Sequence, residues 1–390
     1  MVPAKKSYSR LNNLGKNFLL LLVSLVLALG VCEVALRFYN PFGFRIKGDN
    51  LVLPVNKKEI IYHDKCTKID KVVVHQNNSL GFKGEEPPRD FDRWLTLVAV
   101  GGSTTESLEI APEKTWPHLV GVKLRQRFPR LWLNNAGLCG HSTYGHYILV
   151  RDFISKLKPK VLIFLIGIND IGISDAREFD TRISDGLSFR SLDKFLSSMA
   201  YRSEVASVLL NLYRYYFPKS VLAVGQRDMG ELDLTTLAQL PMTAAQAAAL
   251  VETHREKYVP LFEARLRRLV QITRQGGMDP VLLTQPVVYG KLKDDVTGVD
   301  FSDKAVGYGL NGEVGWQILE LYNDVTRRVG REQGILVIDL AREMPKSSRY
   351  YYDLMHFSNE GNDRLAAIVA RELTPYLAEK YPNFLKSAAN

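Results

Sequence analysis

Between residues 93 and 390 five short apolar runs recur: Leu95–Val100, Leu131–Asn135, Val161–Ile166, Pro280–Thr284 and Ile335–Asp339. The stretches between them carry helical periodicity at Trp116–Phe128, Tyr147–Leu157, Thr243–Gln275 and Val314–Glu332, and Asn359–Leu377 closes the chain. None of the runs alternates apolar with polar residues, so each reads as a strand buried on both faces. Strands that alternate with helices are joined by crossovers, which makes the sheet parallel and covers both faces with helix. The expected fold class is therefore α/β, three layers around a five-stranded parallel sheet. About 110 residues separate the third and fourth runs. Within that interval, 172–240 reads as a helical insertion holding an aromatic cluster of Tyr213, Tyr215, Tyr216 and Phe217. It is either a lid over the sheet's edge or a packed extension with no contact to substrate.

The amino terminus has a different character. Lys5, Lys6, Arg10 and Lys16 stand without an acidic residue through position 16, and the run Phe18–Phe38 follows. As a helix at about 1.5 Å per residue, residues 17–38 span a hydrocarbon core of about 30 Å. Glu33 and Arg37, four apart near its far end, can pair along the helix. A basic flank before one apolar span places the tail (1–16) in the cytoplasm, the span in the inner membrane as a single-pass anchor, and the rest in the periplasm or outside. Cleavage as a signal peptide at Ala28-Leu29-Gly30 is the competing reading. It is disfavoured because apolar character continues to Phe38; Cys32 as a lipid-bearing residue is disfavoured by bulky Val31. Residues 39–92, with Pro41-Phe42-Gly43, Lys57-Lys58 and Lys71–Val74 and ending in Pro87-Pro88, read as a stalk and accessory segment before the α/β domain at 93–390.

Charge and cysteine content narrow the classes further. The net charge is +9, of which the first 16 residues hold four and residues after the span five. That surplus, spread over some 350 residues, is too thin to argue for a nucleic-acid partner, and none is expected. Cys32, Cys66 and Cys139 are too few and too scattered for a disulfide framework or zinc site.

In open α/β sheets, reactive groups gather at the carboxyl ends of strands. The first run ends in Gly101-Gly102-Ser103, the second in Asn135 through Gly140, the third in Gly167-Ile168-Asn169-Asp170, and Asp353-Leu354-Met355-His356 lies beyond the fifth. A serine hydroxyl is a weak nucleophile until an imidazole takes its proton, and that imidazole needs a carboxylate to fix its tautomer. Ser103, His356 and Asp353 fill those roles. The N–H groups of Ser103 and Gly140 and the side-chain amide of Asn169 can form an oxyanion hole.

On these residues the chain resembles the SGNH (GDSL-type) hydrolases. Their four blocks fall in order on Ser103, Gly140, Asn169 and the Asp353/His356 pair, across roughly 93–380. Trp116-Pro117 and Thr284-Gln285-Pro286 also look like family features, and Gly102 stands where the commoner pattern has Asp. The resemblance implies a flavodoxin-like fold, an ester substrate and neither metal nor organic cofactor.

Competing signals are weaker. Gly307-x-Gly309-x-x-Gly312 follows no buried strand, which argues against a dinucleotide site. Ser155-x-x-Lys158 and Ser191-x-x-Lys194 lack the companion motif of penicillin-binding enzymes. No G-x-S-x-G occurs. His141 and His146 are expected at the surface or substrate wall, and His63, His75, His118 and His254 as ordinary residues. Asp170 is expected to bond its own turn, Gly137 to serve a turn, and Arg265–Arg268 to form a solvated helix face. The expected activity is a serine esterase acting on O-acetyl groups of a glycan; an O-acyltransferase with a glycan acceptor and an inactive glycan-binding scaffold are the alternatives.

Overall fold

The computed structural model describes residues 5–38, 53, 58–63, 66–181, 199–200, 202–216, 224–226 and 232–386. Strands are β1 (Lys58–Tyr62), β2 (Val72–Gln76), β3 (Leu95–Gly101), β4 (Leu131–Asn135), β5 (Val161–Leu165), β6 (Val224–Gln226), β7 (Asp279–Leu283), β8 (Ala305–Gly307), β9 (Leu310–Asn311) and β10 (Val337–Ile338). The central sheet runs β10-β7-β5-β3-β4 with every neighbouring pair parallel. All residues of β3, β4 and β5 are buried, as their unbroken apolar runs require. The strand order is the flavodoxin-like one, with its reversal between β3 and β5, the place where such sheets hold ligands. Ala99 pairs with both Asn135 and Ile163, so the carboxyl ends of β3, β4 and β5 lie side by side.

The helices fall close to the expected stretches, and four of them are started by a side-chain cap. Ser142 accepts from Tyr144 N, Thr243 and Gln246 form a capping box, Asn311 accepts from Val314 N, and Ser358 from Gly361 N. The stretch from Ala244 to Gln275 is helical throughout but widens into a π-turn at His254–Tyr258. Pro260 follows directly; it has no N–H to donate, and its ring would press on a carbonyl one turn back, so the wider turn accommodates it.

One expectation changes: the fifth strand is only Val337–Ile338. The accessory segment carries a small sheet, in which β1 pairs antiparallel with β2 and parallel with β6, which comes from the insertion. Lys83 exchanges backbone hydrogen bonds with Asn135, extending the sheet beyond β4, and Leu53 and Phe82 join the main core. Much of 172–240, with the side chains of Tyr213, Tyr215, Tyr216 and Phe217, lies outside the described residues. At the amino terminus one helix, Gly15–Phe38, is long and apolar enough to cross a membrane, and its apolar side chains are exposed along its length.

One buried ion pair fixes the loops at the reversal of strand order. Asp170, after β5, accepts from Thr143 N at 3.1 Å and Thr143 Oγ1 at 2.7 Å, and from Arg265 Nη2 at 3.0 Å. Asp170 therefore bonds other elements and not only its own turn. Arg265 is 15% exposed and Leu266 fully buried, so the Arg265–Arg268 stretch is not a solvated face throughout. Burial raises the Asp170 carboxyl above its ordinary value, although Arg265 and the Thr143 hydrogen bonds oppose that rise. Arg265→Ala leaves this carboxylate without its counter-charge and is expected to cost about 3–5 kcal/mol in urea unfolding at neutral pH. The deficit should shrink as pH falls, because protonation of Asp170 removes the uncompensated charge.

Candidate active site

Gly101 ends β3, and Ser103 is the first residue of the short helix Ser103–Glu106. Trp116, buried against this helix, donates its indole N–H to Thr104 O at 3.1 Å, while its backbone N–H reaches Asn362 Oδ1 at 2.9 Å. That one residue ties the Ser103 turn to helix Asn359–Lys380, which directly follows the Asp353–His356 loop. The loop is shaped by Asp353 itself: its Oδ1 accepts from Met355 N at 2.8 Å and His356 N at 2.7 Å. Oδ2 then receives His356 Nδ1 at 2.6 Å, and His356 Nε2 lies 2.7 Å from Ser103 Oγ.

Carboxylate, imidazole and hydroxyl are thus joined in one line. Burial works against charge on the His356 ring, but the hydrogen bond and negative charge of Asp353, with a smaller contribution from Glu109, hold it above the ordinary imidazole value. Asp353 feels the same balance from the other side: burial pushes its carboxyl up, yet the bonds to His356 keep it below the usual range. With Nδ1–H directed at Asp353, Nε2 is the atom able to take a proton from Ser103 Oγ. The ring of Tyr352 stacks on that of His356, with centroids 5.7 Å apart and planes 12° from parallel. The surrounding shallow cleft is lined by Ser103, Thr104, Ser107, Ile110, Tyr352, His356 and Phe357.

The remaining sequence candidates lie on neighbouring loops. Asn169 Nδ2 donates to His141 O at 3.0 Å, and a Cβ at Gly102 would sit 2.4 Å from that nitrogen. The absence of a side chain at 102 leaves the amide room beside the Ser103 turn. Gly140 adopts the left-handed region (φ +74°) in an exposed loop after β4. Gly137 does more than turn the chain: a Cβ there would lie 2.3 Å from Glu106 N, so its small size lets the loops after β3 and β4 meet. His141 and His146 are buried, against expectation, and burial lowers His146 to about 3. The glycines at 307, 309 and 312 belong to the β8–β9 hairpin and the start of the next helix.

Two acidic residues have structural importance that no motif marks. Glu106 accepts from Cys139 N at 2.6 Å and Lys83 Nζ at 3.0 Å, pinning the Gly140 loop to the Ser103 helix. Glu109, buried next to the cleft, lies 3.3 Å from buried His63 of the accessory segment. His63 is therefore not an ordinary residue standing alone. Its partner lies 46 positions away, and only folding brings them together.

Residues 99–364 match the GDSL-like lipase/acylhydrolase family, and the chain belongs to that family. It is accordingly a carboxylic ester hydrolase. No curated protein matches the sequence. Among solved structures, it is similar to an acetylxylan esterase from Geobacillus stearothermophilus, with 15% identity over 71% of this chain and 93% of that one (TM-score 0.39). A GDSL-like lipase from Bacteroides thetaiotaomicron shares 10% identity over 75% of this chain and 93% of its own (TM-score 0.38). An acetyl xylan esterase shares 13% over 72% and 99% respectively (TM-score 0.39).

The electrostatics give a pH prediction. Asp353→Asn is expected to lower kcat by roughly 10²–10⁴-fold. It should also move the acid limb of kcat/KM to lower pH, because an imidazole that loses its carboxylate holds a proton less tightly. Glu109→Gln should move the limb the same way by a smaller step; initial rates across pH 4–9 with a p-nitrophenyl ester check both.

Proposed function

We propose that the chain is a membrane-anchored, extracytoplasmic serine esterase that removes O-acetyl groups from a carbohydrate through an acyl-enzyme on Ser103. The observation that carries this reading is the line of hydrogen bonds from Asp353 through His356 to Ser103 at the mouth of a small cleft. Ser103 Oγ attacks the ester carbonyl carbon as His356 Nε2 takes its proton. The tetrahedral oxyanion is held by Ser103 N–H, Gly140 N–H and Asn169 Nδ2, each donor typically contributing a few kcal/mol. The C–O bond to the sugar breaks, and the leaving oxygen takes the proton from His356. Water, deprotonated by the same ring, then attacks the acetyl-serine; acetate leaves and Ser103 regains its proton.

A short acyl group fits the close packing beside Ser103, where Ile110, Tyr352 and Phe357 line a narrow cleft. The basic tail ahead of the apolar helix supports an extracytoplasmic domain, where acetylated envelope polysaccharides supply a short ester on a polar alcohol.

Full-length protein in detergent is expected to release acetate from acetylated polysaccharide and to prefer p-nitrophenyl acetate over the decanoate by about tenfold or more in kcat/KM. Ser103→Ala should reduce both activities by roughly 10⁴-fold or more. Hydrolysis that survives in Ser103→Ala contradicts the mechanism, and a preference for decanoate contradicts the substrate class.

A further inference from the structure

Helix Glu204–Tyr216, in the insertion, meets the membrane-length helix at one point. Glu33 projects from that helix and accepts three hydrogen bonds at the start of the insertion helix: from Ser203 Oγ at 2.8 Å, Glu204 N at 3.0 Å and Val205 N at 3.2 Å. Arg37, one turn further on, lies 3.5 Å from the same carboxylate. A carboxylate at a helix amino terminus is favourably placed against the backbone N–H groups and the helix dipole. Glu33 and Leu36 are the half-buried positions of an otherwise exposed apolar span, so the insertion helix covers this patch and leaves the rest bare.

The position of Glu33 sets the depth of the contact. It lies 16 residues beyond the start of the span at residue 17, about 24 Å along a helix, and the hydrocarbon core is about 30 Å thick. The clamp therefore falls within about one helical turn of the far headgroups, and helix Glu204–Tyr216 begins at that level.

Val205, Val208, Leu209 and Leu212 fall on one side at helical spacing. Leu209 is 61% exposed and the other three are half-buried, while Glu204 and Ser207, on the polar side, are buried. The apolar side is thus open at Leu209 and partly accessible beside it, just where the chain leaves the span.

We propose that helix Glu204–Tyr216 lies in the surface of the bilayer crossed by Gly15–Phe38, with its Val205/Val208/Leu209/Leu212 side among the acyl chains nearest the headgroups. Such an interfacial helix buries its apolar side by about 5–10 Å. The insertion then acts as a second membrane contact, holding the hydrolase domain against the outer leaflet. The inference rests on the anchored reading above.

The test uses the full chain in vesicles of phosphatidylcholine and phosphatidylglycerol. Leu209→Cys, in a Cys32→Ser/Cys139→Ser background that retains buried Cys66, carries an environment-sensitive NBD label. Val122→Cys, exposed on helix Trp116–Arg125, carries the same label as reference. The protein is expected to float with the vesicles. The label at 209 should be blue-shifted and lose most of its emission when shallow doxyl-lipid is included, while the label at 122 is unaffected. Glu33→Gln should still float but weaken quenching at 209 and speed amide exchange at 204–205. Flotation with equal or no quenching at the two positions overturns the inference and leaves the anchor standing. Shielding of the 209 label without doxyl quenching, as against a second copy, also overturns it. Failure to float overturns the anchor and this inference together.

Discussion

Ser103 and His356 are 253 residues apart, yet a 2.7 Å hydrogen bond joins them. Its geometry depends on holding the end of β3 and the loop before the last helix in fixed register. A parallel sheet provides the first half: β3 is central, paired on both sides, and cannot slide without breaking two ladders. Trp116 supplies much of the second half by bonding Thr104 O on one side and Asn362 on the other. Asp353 completes the arrangement by bonding two backbone N–H groups of its own loop as well as the imidazole. Its carboxylate shapes the loop and orients the imidazole together.

Around that line the loops after β4 and β5 are secured by carboxylates. Glu106 holds the Gly140 loop, and Asp170 with Arg265 holds Thr143. Asp180 accepts from Ser142 N, Ser142 Oγ and Gly145 N in the same region. Burial is the main force raising Asp180 to about 6, its hydrogen bonds opposing the rise. Buried charges are costly unless paired and hydrogen-bonded. Here they fix the loops that carry Gly140 and Asn169, the donors proposed for an oxyanion, where a shift of an ångström would matter.

The sheet was legible because its strands are buried on both faces, which leaves uninterrupted apolar runs such as Val161–Ile166. The Ser103, Asn169 and Asp353/His356 positions were legible because strand ends concentrate chemistry into short motifs. The accessory sheet was harder to read. Val72 and Val74 are half-exposed while Val73 is buried, so an apolar triplet conceals an alternating strand, and its third partner, β6, comes from 150 residues away. The pairs Glu109–His63 and Asp170–Arg265 left no local pattern either. Each joins ordinary residues distant in sequence, and burial alone gives them their importance. Arg265 in particular sits among other arginines on a helix, where composition suggests solvent and the fold supplies a buried carboxylate.

We propose that Ser103 is the group that bonds covalently to the acyl carbon, and labelling with a fluorophosphonate followed by peptide mapping reads this out. The expected result is one adduct, on Ser103, that forms at a rate rising with pH as His356 loses its proton and that is lost in His356→Ala. Active protein that takes no label, or takes it on another residue, would overturn the assignment of Ser103 as nucleophile.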